Sequence, residues 1–229
     1  MELFFDGVRQ ALRLLVTFDV EVVRITFLSL QVSLTAVALS LVAGVPLGTV
    51  LALTRFPGRS LVVSLVNTGM GLPPVVVGLF VSILLWRSGP LGALELLYTP
   101  SAIVLAQLVI ALPIVTGLTM AAVQQIPSEF RLQILGLGAS RRQLLLVLLC
   151  EARLPMLAAL MAGFGAVISE VGASMMVGGN IRGQTRVLTT ATVLETSRGR
   201  FDVAIALSLL LLLITFLVNW ALTWIQQRR

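Results

Sequence analysis

Residues 96–126 read LLYTPSAIVLAQLVIALPIVTGLTMAAVQQI, 31 consecutive positions without a charge. A helix needs about 20 mostly apolar residues to cross a hydrocarbon layer about 30 Å thick, so this run is long enough to span a bilayer with some tilt. The same pattern repeats outward along the chain. Ile25–Thr54, Ser60–Trp86 and Val203–Gln227 are also free of charge, and Leu154–Ser169 is a shorter run that meets Glu170 and continues to Ile181. The fold class expected from these intervals is an all-α integral membrane protein with about five transmembrane helices, because lipid cannot satisfy an open backbone. In the fifth interval the carboxylate of Glu170 is expected inside the span or near its end.

Composition agrees. Hydrophobic residues make up 58% of the 229-residue chain, charged residues 11%, and the mean hydropathy is +1.03. A soluble domain carries about 25% charged residues, so this chain could not cover a water-facing surface. It has no histidine and no lysine: all sixteen basic residues are arginine. The commonest general base, the commonest zinc ligand, the Schiff-base amine and the phosphate-binding lysine of a P-loop are therefore all missing. One cysteine, Cys150, permits neither an internal disulfide nor a thiolate metal cluster. No catalytic residue and no metal site is expected, and no nucleic acid: the net charge of +6 fits arginines flanking membrane spans.

Over the first 21 residues, Phe4, Val8, Ala11, Leu15 and Phe18 recur at helical spacing, with Asp6, Arg9 and Arg13 opposite. That pattern predicts a helix lying in the membrane interface and not a cleaved leader. Prolines at 46, 73, 74, 100, 113 and 155 fall in the spans or at their edges, where only packed neighbours or a watery cavity tolerate them. Gly44 and Gly48 form a GxxxG, and Gly165, Ser169 and Ala173 repeat at four-residue spacing, surfaces suited to close helix contact within the chain or across a dimer. Five spans put the two ends of the bundle on opposite sides. Eight arginines fall on each side, so the positive-inside rule ties.

The longest polar connection, residues 124–155, reads QQIPSEFRLQILGLGASRRQLLLVLLCEARLP. Pro127, Ser128 and Glu129 predict a helix start. Leu132 and Leu135, then Leu144, Leu145 and Leu148, form apolar stripes. Gly136, Gly138 and Ala139 between them permit a sharp turn, followed by Ser140, Arg141 and Arg142. Helix, glycine break and second helix make a knob able to dock in a partner's groove. The same pattern also suits a helix lying on the membrane surface.

This segment resembles the cytoplasmic EAA loop of ABC importer permeases, with Leu137-Gly138-Ala139-Ser140-Arg141 as the matching core. It departs from the family pattern where the EAA positions hold Leu132, Gln133 and Ile134. The Leu-Pro positions hold Cys150 and Glu151, and Leu154-Pro155 comes four residues later. The resemblance continues through Phe164-Gly165, residues 168–173 (ISEVGA), residues 175–183 (MMVGGNIRG), Thr189-Thr190-Ala191 and Leu194-Glu195-Thr196. Upstream it covers Pro46-Leu47-Gly48 and residues 71–79 (GLPPVVVGL). These runs are similar to permeases for tetrahedral oxyanions, closest to the tungstate-type branch.

The resemblance implies one permease domain over residues 1–229, with the interfacial helix at 1–21 and a cytoplasmic coupling loop at 124–155. It implies a multi-pass protein of a prokaryotic inner membrane that forms a homodimer, binds two cytoplasmic ABC ATPase subunits and receives its anion from an extracytoplasmic binding protein. The chain itself holds no cofactor; ATP and magnesium are used by the ATPase partners. Coupling falls to Glu129, Leu132, Gly136, Gly138, Ala139, Ser140, Arg141 and Arg142. Glu170, Met175, Met176, Asn180, Arg182 and Arg186 are expected to border the path or its gate, with Arg182 and Arg186 available to pair with Glu170. The alternatives are an ion-coupled secondary transporter, which would show paired halves and more intramembrane acids, and a permease for molybdate or another oxyanion.

Overall fold

The computed structural model describes residue 5, residues 7–10 and residues 19–227. Most of the interfacial helix expected at 1–21 therefore lies outside the described residues, as do Arg228 and Arg229. Phe5 and residues 7–10 are helical, whereas Val20 and Glu21 belong to the first long helix.

That helix, α1 (Val20–Leu53), starts five residues before its charge-free interval. Asp19 supplies the reason: its Oδ1 accepts hydrogen bonds from the backbone N–H groups of Glu21 and Val22 at 3.0 and 3.1 Å, closing the amino end. At 34 residues the helix is about 51 Å long, so Glu21 and Arg24 can stand clear of a hydrocarbon core. The chain continues as α2 (Arg59–Met70), α3 (Pro74–Leu85), a 3-10 turn at Gly92–Leu94, α4 (Pro100–Gln124), α5 (Ser128–Gly136) and α6 (Arg141–Glu151). The remaining helices are α7 (Arg153–Ile168), α8 (Gly172–Gly178), α9 (Leu188–Ser197) and α10 (Phe201–Gln227).

Helices α1, α4 and α10 are each long and apolar enough to cross a membrane. The pairs α2–α3 and α6–α7 meet the same test only as bent pairs, at 107° and 63°. Two expected spans are thus corrected. Ser60–Trp86 is not one helix, because Pro73 is extended (φ −61°, ψ 125°) and Pro74 begins the next helix. A residue before proline is driven out of the helical region, and proline at a first helical position costs nothing. Leu154–Ile181 is not one helix either: α7 stops at Ile168, Glu170 lies in the break, and α8 ends at Gly179 and Asn180, both with positive φ.

Helix α4 is the centre of the bundle and packs against α1 along most of its length. Gly48 makes this possible, since a Cβ there would lie 2.5 Å from the Thr116 carbonyl oxygen and 2.9 Å from the Thr119 Cβ. The GxxxG of α1 is used within the chain. The core around α4 includes Val32, Val37, Ile103, Ala106, Phe164 and Val177. Two smaller clusters mark the ends. At one, Leu53, Val123, Ile126, Phe130 and Leu148 join the carboxyl ends of α1 and α4 to α5 and α6. At the other, Ile25, Leu188, Ala191 and Leu207 join α1, α9 and α10. Helices α1, α4 and α10 therefore run in the same direction, and the loop of residues 124–155 lies at the end opposite Glu21, Arg182 and Arg186.

Candidate coupling and path sites

At the loop end, α5 and α6 form a helix–turn–helix. Pro127 precedes α5 with an extended backbone (φ −55°, ψ 143°). After Gly136 the chain reverses on Gly138, at φ +85°, a left-handed conformation that a side chain would strain. The N–H of Gly138 donates to the Leu135 carbonyl at 2.9 Å and that of Ala139 to Ile134 at 3.3 Å. Ser140 then caps α6 reciprocally with Gln143. The Ser140 N–H donates to Gln143 Oε1 at 2.8 Å, and the Gln143 N–H donates to Ser140 Oγ at 3.4 Å. This Ser-x-x-Gln box is itself a sequence signature of a helix start.

Of the eight residues expected in coupling, Glu129, Leu132, Gly136, Gly138, Ser140, Arg141 and Arg142 are exposed and Ala139 is half-buried. The knob's tip is apolar: Leu132 is 68% and Leu137 84% exposed. Its root is fixed. Leu148 is fully buried, and two arginines outside the expected set close helix ends. Arg131 donates from Nη2 to the Val123 carbonyl at 2.8 Å, and Arg59 from Nε to the Leu51 carbonyl at 2.8 Å. Cations at the carboxyl end of a helix meet both its free carbonyls and its negative dipole end.

At the other end the expected path residues separate into two groups. Glu170 is buried and pairs with none of the described arginines. Its Oε1 accepts from the Ala173 N–H at 2.6 Å, and its Oε2 from the Ser174 N–H at 2.9 Å and the Ser174 hydroxyl at 2.8 Å. It therefore closes the amino end of α8, while its own carbonyl accepts from Thr189 Oγ1 at 2.9 Å. An intramembrane acid needs such partners, and here local N–H groups supply them without a counter-cation. Met175 and Met176 follow on α8; the first is exposed and the second lies by Gly78 of α3.

Arg182 and Arg186 pair instead with Glu21, an acid that sequence reasoning missed. Arg182 grips the Glu21 carboxylate with both Nε, at 2.8 Å, and Nη2, and Glu21 holds the Arg182 pKa above its ordinary value through this hydrogen bond and its charge. Arg186 Nη1 lies 3.3 Å from Glu21 Oε1, and its Nε donates to Asn180 Oδ1 at 3.3 Å. Asn180, at φ +52°, is held in turn by Thr190, whose hydroxyl donates to Asn180 Oδ1 at 3.0 Å. Asn180, Arg182 and Arg186 are thus brought together, and Glu170 is not joined to them by any hydrogen bond or ion pair among the described residues.

The network borders an open cavity of about 330 Å³ that also meets Asp19, Glu195, Arg198 and Arg200. Glu195, buried on α9, lies 2.6 Å from Arg200 Nη2 and 3.5 Å from Arg198 Nη1. Its Oε2 is close to Arg200 but forms no well-directed hydrogen bond. Guanidinium groups near carboxylates suit oxyanion chemistry, but the pairing with Glu21 and Glu195 offsets much of that charge.

Comparisons with known proteins follow the same lines. Residues 44–229 match the family described as binding-protein-dependent transport system inner membrane component. The "Tungstate uptake system permease protein TupB" of Peptoclostridium acidaminophilum is 40% identical over 227 residues, covering 99% of this chain and 100% of that protein. The "Probable anion ABC transporter permease protein" of Haloferax volcanii is 43% identical over 202 residues, covering 86% of this chain and 87% of its own. Among solved structures, the inward-facing MetNI methionine ABC transporter matches with a TM-score of 0.75 at 20% identity, over 90% of this chain and 94% of that one, a likeness of fold.

Proposed function

We propose, since the chain belongs to the family of binding-protein-dependent transport system inner membrane components, that it is the permease subunit of an ATP-driven importer for a tetrahedral oxyanion, tungstate first. The observation that carries this reading is the likeness to a tungstate uptake permease along 99% of the chain. The exposed helix–turn–helix at one end of the bundle supports the coupling it requires.

In this reading the loop end faces the cytoplasm. Two ABC ATPase subunits, which use ATP and magnesium, receive the α5–α6 knob in their grooves. Leu132, Leu137, Arg141 and Arg142 meet them, while Gly138 sets the turn. A second copy of the chain completes the path, and an extracytoplasmic binding protein supplies the anion at the Glu21–Arg182 end. Helix α7 offers a surface for the second copy. Ala158, Ala162, Gly165 and Ser169 follow one another along one side, and a Cβ added at Gly165 would meet nothing within 4 Å. Small residues allow backbones to approach closely in a membrane.

Transport is alternating access without covalent chemistry. ATP binding moves the knobs and must favour one of two packings of the spans, since an equilibrium shifts only through a difference in interaction. The breaks at residues 71–73, at Ala152 and at residues 169–171 are the points able to bend. Asn180, Arg182 and Arg186 border the outer mouth, Met175 and Met176 follow deeper, and Glu170 braces α8 and does not contact the anion.

The test is reconstitution of the chain with its ATPase and binding protein in vesicles, followed by uptake of tungstate, molybdate and sulfate. Tungstate-stimulated ATP hydrolysis and uptake, absent without the ATPase subunit, are expected. Cysteines placed at 165 or 169 after replacement of Cys150 should cross-link between chains. ATP hydrolysis by the chain alone, or one permease chain per ATPase pair, would overturn the reading.

A further inference from the structure

At the loop end, α7 passes between α1 and α10 and leaves an open groove of about 310 Å³. Leu41 of α1, Leu157 and Leu160 of α7 and Ile225 of α10 form its walls, and among the described residues that line it Arg153 alone is not apolar. Arg153 is exposed, and its guanidinium makes no hydrogen bond or ion pair with a described residue, unlike Arg59 and Arg131 at the same end. It stands at the first position of α7, beside the apolar walls. The apolar groove and an unpaired cation are thus joined at one point.

We propose, resting on the reading that the loop end faces the cytoplasm, that this groove binds an anionic phospholipid of the inner leaflet, with the headgroup phosphate on Arg153 and one acyl chain laid between α1, α7 and α10. The chemistry on both sides matches. The groove offers hydrocarbon walls with no polar group to bond water. The guanidinium fork suits phosphate oxygens, and the long arginine side chain reaches the headgroup level from the helix end. The cytoplasmic leaflet carries the anionic lipids, and basic pockets between helices on that side recognise their headgroups. A second copy of the chain is the less suitable occupant. At 100° per residue the groove positions of α7 lie roughly 150° round from Ala158, Ala162, Gly165 and Ser169, so a copy seated on that small-residue side leaves the groove to lipid.

Native mass spectrometry of the purified full chain, exchanged into detergent with equal phosphatidylglycerol and phosphatidylcholine of identical acyl chains, tests the proposal. Wild-type protein is expected to retain phosphatidylglycerol several-fold over phosphatidylcholine. Arg153→Gln removes an exposed charge that makes no hydrogen bond or ion pair with a described residue, and should abolish that preference while leaving phosphatidylcholine retention intact. Leu157→Trp fills the groove, keeps the charge, and should reduce retention of both lipids. An undiminished phosphatidylglycerol preference in Arg153→Gln would overturn the assignment, as would efficient cross-linking between protomers through a cysteine at position 157.

Discussion

Glu21 and Arg182, 161 residues apart in sequence, form a two-pronged ion pair that ties the start of α1 to the loop between α8 and α9. Arg186 reaches the same carboxylate from that loop. Because Arg182 is exposed, water screens the pair, and its value lies in holding the loop's position and not in global stability. Glu21→Gln and Arg182→Gln should leave the melting temperature of the solubilised chain almost unaltered and slow uptake without preventing assembly with the ATPase. Transport assays beside thermal unfolding check this; a large drop in melting temperature with normal uptake would show the opposite division.

Gly138→Val should place a β-branched residue at φ +85°, costing about 1–2 kcal/mol in the turn. A Cβ there would meet nothing within 4 Å, so the damage is confined to the backbone of the knob. ATPase association, measured by co-purification, should fall while membrane insertion persists. Gly136→Ala provides the contrast: it is helical, open, and should be neutral or slightly stabilising.

Gly48→Ala should act on the bundle. The added methyl would press on the Thr116 carbonyl and the Met120 nitrogen, backbone atoms that cannot swing aside. Overpacking of this kind costs about 1–3 kcal/mol. Gly44→Ala meets only side-chain atoms at 3.0–3.2 Å and should cost less. Thermal unfolding in one detergent ranks the pair, and equal effects would argue against the α1–α4 contact as described.

Glu170→Gln should destabilise the break between α7 and α8. The carboxylate accepts three hydrogen bonds, two of them from N–H groups, and an amide turns one acceptor into a donor facing a donor. Leaving a buried group unsatisfied costs about 1–3 kcal/mol. Ser174→Ala removes only the hydroxyl partner and should be milder. If Glu170 instead contacted the anion, Glu170→Gln would alter substrate preference at unchanged stability.

The membrane class, the helical knob and its turn at Gly138 were legible in the sequence because each depends on local chemistry: apolar length, helical spacing, and a residue able to take positive φ. The two bent pairs were half-legible. Pro73-Pro74 stood in plain view, but an interval free of charge gives no sign of where a helix turns aside. The partners of Arg182 and Arg186 were not legible. Nothing in a one-dimensional pattern distinguishes Glu170, twelve residues upstream of Arg182, from Glu21, because that choice is made by how α1 and α9 pack. Helix α9 escaped notice for a related reason. Its threonines are poor helix formers, and Thr189 and Thr190 are recruited by contacts to Glu170, Val187 and Asn180.

The sharp bend between α2 and α3 bears on how the protein exists at all. Helix α2 has no buried residue, yet it carries Ser60, Ser64, Asn67 and Thr68 on a segment that belongs to a bent span. Side chains of this kind are poorly housed in hydrocarbon and gain from another copy or from shared water. If the proposed second copy covers them, the stability of α2 becomes a matter of mass action, rising with the surface density of the permease in the bilayer. Dilution into excess lipid should loosen α2 before the packed bundle of α1, α4 and α7 yields.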